Sequence, residues 1–195
     1  MLLIEDLSNG LKLLDPFLKE YGFEFDKYNF GDNSDSHFSL ASYKNKNKKF
    51  IVDYRFSTSQ ILYQYGNCIV NHPFYLDHLG FTDKKKHNGF LPNQKIEAFN
   101  HILQDFEYLL DDFFKGECDK LQEISELQEN IITEVDRKIR LENSIRLDNI
   151  RIEKARREFR NKDHFKCLDI YRFVDNKYLL VELDFKIMAY CNRHI

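Results

Sequence analysis

The spacing of apolar residues at the start of the chain predicts one helix followed by a sheet. Large apolar side chains recur every three or four residues over 3–22, which marks one face of a helix with a bend point at Pro16 and an end at Gly22. Apolar and polar residues then alternate in short runs separated by polar turn sequences. These runs, at 23–30, 37–43, 50–56, 60–65 and 68–70, predict an antiparallel meander of four or five strands.

Helical signals replace the alternation from His72 onward. Residues 72–79 predict a short helix before Gly80, and Gln94–Lys115 carries the apolar stripe of a longer helix that ends at Gly116. All 7 glycines and all 3 prolines lie in the first 116 residues. Because these two residues are the strongest interrupters of helices, their absence from 117–195 predicts an almost wholly helical second part.

The sequence of 117–160 does not decide what this segment packs against. Its narrow apolar seam indicates contact with another helix and consists of Leu121, Ile124, Leu127, Ile131, Val135 and Ile139. Seven acids and one base lie in 117–136, and ten bases and four acids lie in 137–162. The halves can attract each other in a hairpin that breaks near Asn143-Ser144 or Asp148-Asn149, or in an antiparallel homodimer. A single solvated helix with charges that suit its dipole is the third interpretation.

The last part of the chain carries two competing patterns. Residues 149–195 predict three helices with turns at 161–163 and 175–177. The strict alternation of VELDFKI at 181–187 also fits a β-hairpin over 167–187. Helices are preferred because the stripe of Leu179, Leu183, Ile187 and Cys191 continues beyond the alternating run.

The fold class that follows is α+β. We expect an N-terminal antiparallel sheet with flanking helices over 1–116. An all-helical C-terminal extension over 117–195, containing the long charged helix, follows it. The hydrophobic content of 43% and the 18 Phe and 11 Tyr supply material for a packed core.

Charge and cysteine usage restrict the functional classes. The net charge of −3 disfavours a general nucleic-acid binder. The four cysteines form no CxxC pair, so neither a metal site nor a cofactor is expected. Acids at Glu5 and Asp6 and the lack of an apolar run near ~18 residues predict a cytoplasmic protein without a membrane segment.

Two resemblances add to these patterns. The tail resembles one tetratricopeptide-like unit, which implies a helical hairpin, in Ala155, Phe159, Lys162–Phe165, Tyr171 and Leu183. Residues 10–116 resemble a family of small uncharacterised bacterial α+β proteins that accompany toxin, immunity or phage-defence loci. The residues that carry this second resemblance are Tyr54–Ser57, Tyr63, His72, Tyr75, Leu79-Gly80, Gly89-Phe90, Phe99, Leu103 and Asp105. It implies a bacterial cytosolic protein and transfers no catalytic residue.

Candidate chemistry is sparse. If the sheet has an open face, Arg55, Tyr63, His72 and Tyr75 are the predicted partner-binding surface. An Arg55 that merely lies on the solvent side of a strand is an equal alternative. Arg157 and His164 have about the spacing of the Arg and His of HEPN ribonucleases, although a basic helix end is the preferred interpretation.

The remaining polar clusters favour structural roles. His72, His78 and His101 could in principle bind zinc, but their spacing favours surface or capping positions. The runs 84–87 and 44–49 are expected to be solvated loops, with phosphate contact as the alternative.

The patterns favour a protein–protein interaction module over an enzyme. The expected partner is a toxin or a defence-complex subunit, with a homodimer through Leu121, Ile124, Leu127, Ile131 and Val135 as a second contact. The alternatives are a HEPN-like ribonuclease that uses Arg157 and His164, and a nucleic-acid-binding regulator that uses 137–162.

Overall fold

The computed structural model describes the backbone of residues 2–33, 36–55, 60–89 and 95–195, and the side chains of 5–27, 39–53, 60–89 and 96–195. The chain divides into two compact units, Met1–Asn130 and Ile131–Ile195. The first contains a five-stranded sheet with helices and the second contains only helices in the described residues. The predicted α+β class, with an N-terminal antiparallel sheet and a C-terminal helical region, is confirmed.

The sheet is an antiparallel meander in which each strand pairs with the next along the chain. Its strands are β1 (Glu24–Asn33), β2 (Ser36–Asn45), β3 (Lys48–Arg55), β4 (Gln60–Tyr65) and β5 (Cys68–Asn71), in the spatial order of the sequence. Tight turns at 46–47 and 66–67 connect β2 to β3 and β4 to β5. Core-facing side chains of the three middle strands lie next to one another, where Tyr43 of β2 pairs with Phe50 of β3 and Phe50 pairs with Tyr63 of β4.

Three helices accompany the sheet. They are α1 (Leu2–Glu20), which contains Pro16, α2 (His72–His78) and α3 (Lys95–Asp105). The prediction of one helix over Gln94–Lys115 is wrong in its second half. After Asp105 the chain forms a 3₁₀ segment (Phe106–Leu109) and then a π turn (Leu110–Phe114). This change of pitch lets the consecutive Phe113 and Phe114 both pack in the core.

Gly116 separates these turns from the next helix. A Cβ atom at this position would lie 2.1 Å from the carbonyl oxygen of Asp111, so any larger residue would displace the backbone. Cys118 follows with a positive φ of 63°. The chain therefore turns sharply between Phe114 and the start of α4 (Asp119–Arg160), whose 42 residues run without interruption. The breaks expected at Asn143-Ser144 and Asp148-Asn149 are absent, which excludes a hairpin within this segment.

The second unit completes the chain with short helices. It holds the C-terminal part of α4, then α5 (His164–Arg172), a 3₁₀ turn (Lys177–Leu179) and α6 (Glu182–Asn192). The alternating VELDFKI run is helical, so the hairpin alternative for 167–187 is wrong. The Asp184 carboxylate accepts the Val181 backbone N–H at 2.9 Å and fixes the first turn of α6, which alternation alone does not reveal.

The two units have separate cores. In the first, α1 and the segment 98–124 cover the sheet around a cluster that includes Phe23, Phe50, Phe106 and Phe113. The second core is small and is formed by Ile152, Ala155, Cys167, Tyr171, Val174, Leu180, Ile187 and Cys191. Among the described residues, none of the helices has an apolar stretch long enough to span a bilayer.

Candidate functional site

The predicted binding face of the sheet is not an open surface. Tyr63, His72 and Tyr75 are fully buried in the first unit, so they cannot contact a partner. Arg55 ends β3, and its side chain lies outside the described residues. The helices that cover this side of the sheet convert the predicted surface into core.

His72 instead joins a buried chain of hydrogen bonds. Its Nδ1 lies 2.6 Å from the Tyr63 hydroxyl, and its Nε2 lies 3.0 Å from a carboxylate oxygen of Asp105. A neutral imidazole satisfies both, because Tyr63 donates to Nδ1 while Nε2–H donates to Asp105. Burial lowers the pKa of His72 and outweighs the opposite influence of Asp105, which favours this neutral form. His72 therefore has neither the surface nor the capping role that was expected.

Asp105 extends this chain to the loop after α2. Its carboxylate also accepts the backbone N–H groups of Lys86 at 2.7 Å and His87 at 2.8 Å. Burial works to raise the pKa of Asp105, but the hydrogen bonds from His72, His87 and Lys86 outweigh it and lower the pKa. Although the arrangement has the residue types of a catalytic triad, all three side chains are fully buried, so its role is to hold the loop.

The basic run at 84–87 is consequently an ordered part of the fold. His87 is buried, and Lys85 forms an ion pair with Asp77 at 2.6 Å. The prediction of a solvated loop is wrong for these two residues. The other histidines considered for zinc have local contacts: His78 Nδ1 lies 2.9 Å from the Phe74 carbonyl oxygen, and His101 lies 3.9 Å from Glu97.

A second carboxylate, which is partly buried, fixes the start of α4. Asp112 accepts the backbone N–H groups of Lys120 at 3.0 Å and Leu121 at 2.9 Å, and also the hydroxyl of Tyr75. These amides belong to the first turn of α4 and have no acceptor within the helix. Tyr75 thus supports a helix cap from inside the core, which explains why it is unavailable as a binding residue.

The first turns of α4 cover the edge of the sheet that is formed by β5. Ser125 Oγ accepts the Ile69 N–H at 3.1 Å, and Gln128 Oε1 accepts the Asn71 N–H at 3.1 Å, both from edge strand β5. Leu121 and Ile124 are buried beside them in the core of the first unit. These two members of the predicted dimer seam are therefore unavailable to a second chain.

Between Leu127 and Ile139 the apolar residues of α4 reach solvent. Large side chains that are between 42% and 51% exposed follow one side of the helix: Leu127, Ile131, Ile132, Val135 and Ile139. We call this set the α4 stripe. Four of its members, Leu127, Ile131, Val135 and Ile139, belong to the predicted apolar seam. A helix with such a stripe and no covering element in the described residues is typical of a surface that pairs with another helix.

The charges beside the α4 stripe are divided along the helix. Arg137 pairs with Glu134 at 2.9 Å, and Lys138 lies 3.9 Å from the same carboxylate. The exposed side chains of Glu126, Glu129, Arg140 and Arg146 take part in no ion pair within the described part of the chain. The helix therefore offers uncompensated acids before the middle of the stripe and uncompensated bases after it.

No family model, curated protein or solved structure matches this chain. The geometry of the chain's own surfaces therefore has to indicate its function.

The ribonuclease pair lies in two different surroundings. Arg157 is exposed on α4, where it lines a shallow hollow with Asn149, Glu153 and Arg160. His164 is half-buried at the start of α5, and its Nδ1 lies 3.6 Å from Cys191 Sγ. The two helices are separated by a turn in which Lys162 has a φ of 64°. The contacts of His164 are thus with Cys191 and Tyr190 of α6 and with the ring of Phe159, and none of those within the described residues involves Arg157.

The basic stretch 137–162 is partly neutralised within its own unit. Arg156 binds Asp184 through two hydrogen bonds of 2.7 and 2.8 Å, and Arg151 contacts Asp148 at 2.8 Å. Lys154, Arg157 and Arg160 remain along the shallow hollow. In the first unit, Lys46 and Lys48 of the other basic run line a separate hollow of about 250 Å³ at the β2–β3 turn.

Proposed function

We propose that this chain is a protein-interaction module, and that its contact surface is the α4 stripe, which pairs with the α4 stripe of a second copy. The observation that carries the proposal is the series of half-exposed Ile, Leu and Val side chains along one side of an uninterrupted helix. Exposed residues of this kind are usually scattered singly. Five within thirteen residues on one side are better explained by contact with another helix.

Charge complementarity identifies a second copy in antiparallel orientation as the occupant. The seven acids of 117–136 precede the ten bases of 137–162, and the sign changes next to Val135, within the stripe. A two-fold axis near this residue would bring the acidic half of each helix beside the basic half of the other. A parallel arrangement would oppose like charges instead. The same surface is therefore complementary to itself in one orientation only.

The biological setting is proposed from resemblance. The likeness of residues 10–116 to small bacterial proteins near toxin, immunity and phage-defence loci suggests that the dimer acts beside a toxin or a defence-complex subunit in the cytoplasm. Three of the residues proposed from the sheet face, Tyr63, His72 and Tyr75, are buried, so they support no surface for that partner. A functional test is protection of cells from a neighbouring toxin or phage, compared between the wild-type chain and dimer-deficient variants.

Two matched substitutions test the pairing surface. Ile139 is 49% exposed and Leu141 is 48% exposed, but they point about 200° apart around the helix. Ile139→Asp is expected to convert the dimer to a monomer of 23.5 kDa in light scattering. Leu141→Asp introduces the same charge beside the stripe and should leave the dimer intact. A wild-type chain that is monomeric at high concentration, or equal effects of both substitutions, would contradict the proposal.

Charge exchange tests the orientation. Glu126→Lys with Glu129→Lys places two bases in the half of α4 that would lie along Arg140 and Arg146 of a second copy, which should weaken an antiparallel dimer. Adding Arg140→Glu and Arg146→Glu to the same chain restores opposite charges and should restore the dimer. In a parallel dimer the first pair of changes only replaces one like-charge contact with another, so an unchanged mass would exclude the antiparallel arrangement.

A nucleic-acid-binding regulator is the second candidate, favoured by Lys154, Arg157 and Arg160 along the hollow on α4. Binding of an RNA or DNA duplex should weaken steeply with salt, because phosphate contacts release counterions. Arg157→Ala with Arg160→Ala should reduce the salt dependence. Salt-insensitive binding, or none, would exclude this candidate. No contact favours the ribonuclease alternative, for which His164→Ala would have to abolish RNA cleavage.

A further inference from the structure

Two histidine–cysteine pairs lie together in the second unit. His164 and Cys167 are separated by three positions in the first turn of α5, and Cys191 and His194 by three positions at the end of α6. Residues three apart on a helix lie on the same face. The spacing HxxC followed by CxxH supplies two thiols and two imidazoles, which is a frequent ligand set of structural zinc sites.

The helices bring the two pairs into contact. Cys191 Sγ lies 3.6 Å from His164 Nδ1, and Cys167 and Cys191 belong to the same buried cluster. In a tetrahedral zinc site, with bonds of about 2.3 Å to sulfur and about 2.1 Å to nitrogen, a sulfur and a nitrogen ligand are about 3.6 Å apart. The observed separation is therefore that of two ligands of one zinc ion.

The fourth side chain is already oriented by the backbone. His194 Nδ1 lies 2.8 Å from the Tyr190 carbonyl oxygen, to which it can donate, and its ring stacks on Tyr190 at 4.0 Å between centroids. An Nδ1–H donor leaves the lone pair of Nε2 free to bind a metal. A carbonyl acceptor of this kind accompanies most metal-binding histidines. The backbone N–H of His194 also donates to the backbone carbonyl of Cys191 at 3.0 Å, which closes the turn between these two residues.

We propose that Cys167, Cys191, His164 and His194 form a zinc site that ties the start of α5 to the end of α6. Two thiolates and two neutral imidazoles would neutralise a divalent zinc ion, with one proton released from each thiol on binding. The thiols are fully buried, whereas His164 is half-buried and His194 exposed, so the ion would enter from the histidine side. This inference does not depend on the proposed dimer.

Binding requires a small closure at the chain end. Within the described residues, no three His, Cys, Asp or Glu side chains are already arranged to hold a metal ion. The ring centroids of His164 and His194 are 6.1 Å apart. Two imidazoles on one tetrahedral ion would be about 5 Å apart. His194 lies beyond the last helical residue, Asn192, where an inward shift of about 1 Å disturbs only the terminal turn.

Cobalt(II) and zinc(II) provide the test, with the full-length chain held in a phosphine reductant. One equivalent of cobalt should produce the visible bands of a tetrahedral site and the ultraviolet band of thiolate ligation, and one equivalent of zinc should remove them. Zinc should also protect two of the four thiols from a disulfide reagent. The melting temperature should rise with zinc and fall when a chelator is added.

Three variants locate the site. Cys191→Ser should abolish the thiolate band, although loss of a buried thiol could also disturb folding. His194→Asn changes an exposed side chain, so the fold should persist while zinc affinity falls by at least about tenfold. Cys68→Ser, which alters a half-buried cysteine of the first unit, should leave cobalt binding unchanged.

Two results would overturn the proposal. The first is a reduced wild-type chain that takes up no cobalt, including the case in which Cys167 and Cys191 form only a disulfide when the reductant is removed. The second is a cobalt spectrum and affinity that are the same in the wild type, Cys191→Ser and His194→Asn, because the ion would then bind elsewhere.

Discussion

The two units of the chain use buried polar groups in different ways. In the first unit, a large aromatic core surrounds Tyr63, His72 and Asp105, and the carboxylate is held by a neutral imidazole and two backbone amides. In the second, a core of eight residues surrounds Asp184, which is held by Arg156, the Tyr171 hydroxyl and the Val181 amide. One unit buries an anion without a cation, whereas the other pairs its anion with an arginine that reaches solvent.

This difference indicates which unit depends more on its internal hydrogen bonds. If the Asp105 carboxylate is lost, none of its three hydrogen-bond partners can bind water instead. His72 is fully buried, and the two amides belong to a fixed loop. Arg156 keeps 26% of its side chain exposed, so its guanidinium can be hydrated if Asp184 is lost. The same substitution should therefore cost more in the first unit than in the second.

The largest effect is expected from Asp105→Asn. The Asn side chain has the same shape but only one oxygen that can accept hydrogen bonds. Its NH₂ group would therefore face the backbone N–H groups or the imidazole N–H that donate to the carboxylate in the wild type. Loss of a buried charge and its partners typically costs about 3–5 kcal/mol. The free energy of unfolding, measured in urea by circular dichroism, should fall by this amount.

Asp111→Asn is the matched control for Asp105→Asn. Asp111 is exposed in the π turn a few residues farther along the chain, so the same chemical change there should leave the stability unchanged. Equal urea midpoints for the two variants would mean that the Tyr63–His72–Asp105 chain contributes little to the fold.

The next effect is expected from Asp184→Asn in the second unit. Burial works to raise the pKa of Asp184, but the bonds from Arg156, Tyr171 and Val181 outweigh it and lower the pKa. Because Arg156 can turn to water, we expect a loss of about 2 kcal/mol rather than the larger value in the first unit. Hydrogen exchange of α5 and α6, followed by mass spectrometry, would detect it. A loss larger than that of Asp105→Asn would reverse the comparison.

Mild acid should destabilise the first unit. Burial, with a smaller influence of neighbouring His72, lowers the pKa of His87 to about 4. Below its ordinary pKa near 6.5 the unfolded chain takes up a proton that the folded chain does not. Stability is therefore lost as the pH falls from about 6.5 to about 4, at about 1.4 kcal/mol per pH unit for this residue.

Urea midpoints measured between pH 7 and pH 4.5 would give this slope. His87→Gln should reduce it, whereas His78→Gln, which changes an exposed histidine of α2, should not. The lowered pKa of Asp105 acts in a different window, because its contribution is present above about pH 3.9 and is lost only at lower pH. A stability that stays constant from pH 7 to pH 4.5 would contradict the buried neutral histidine.

Local patterns predicted most of the fold. Alternation identified the five strands, and the absence of Gly and Pro after Gly116 identified the helical second part. The strand-like run VELDFKI was resolved correctly because Cys191 continues a helical stripe beyond it. The 3₁₀ and π turns after Asp105 were missed, because their change of pitch follows from packing Phe113 and Phe114 together rather than from any breaker residue.

Sites that depend on distant partners were predicted less well. Tyr63, His72 and Asp105 lie 9 and 33 positions apart, so only the tertiary structure reveals that they bind one another. The sheet face was considered as a binding surface on the condition that it is open, because the covering helices could not be oriented from the sequence. The HxxC and CxxH pairs are visible in the sequence. They were missed because the cysteines were compared only with one another and not with the histidines.

The smallest effect compares two tyrosines that donate to these networks. Tyr171→Phe removes a hydroxyl 2.7 Å from Asp184, whose carboxylate keeps Arg156 and the Val181 amide, so a loss of about 1 kcal/mol is expected. Tyr63→Phe removes the hydroxyl that faces His72 Nδ1 and leaves this buried nitrogen without its donor, which should cost about 2 kcal/mol. Both rings remain buried, so the difference isolates the hydrogen bond. Urea unfolding of the two variants in parallel measures this difference in the free energy of unfolding. A larger loss of stability for Tyr171→Phe would show that the second unit depends on its hydrogen-bond network more than the exposure of Arg156 implies.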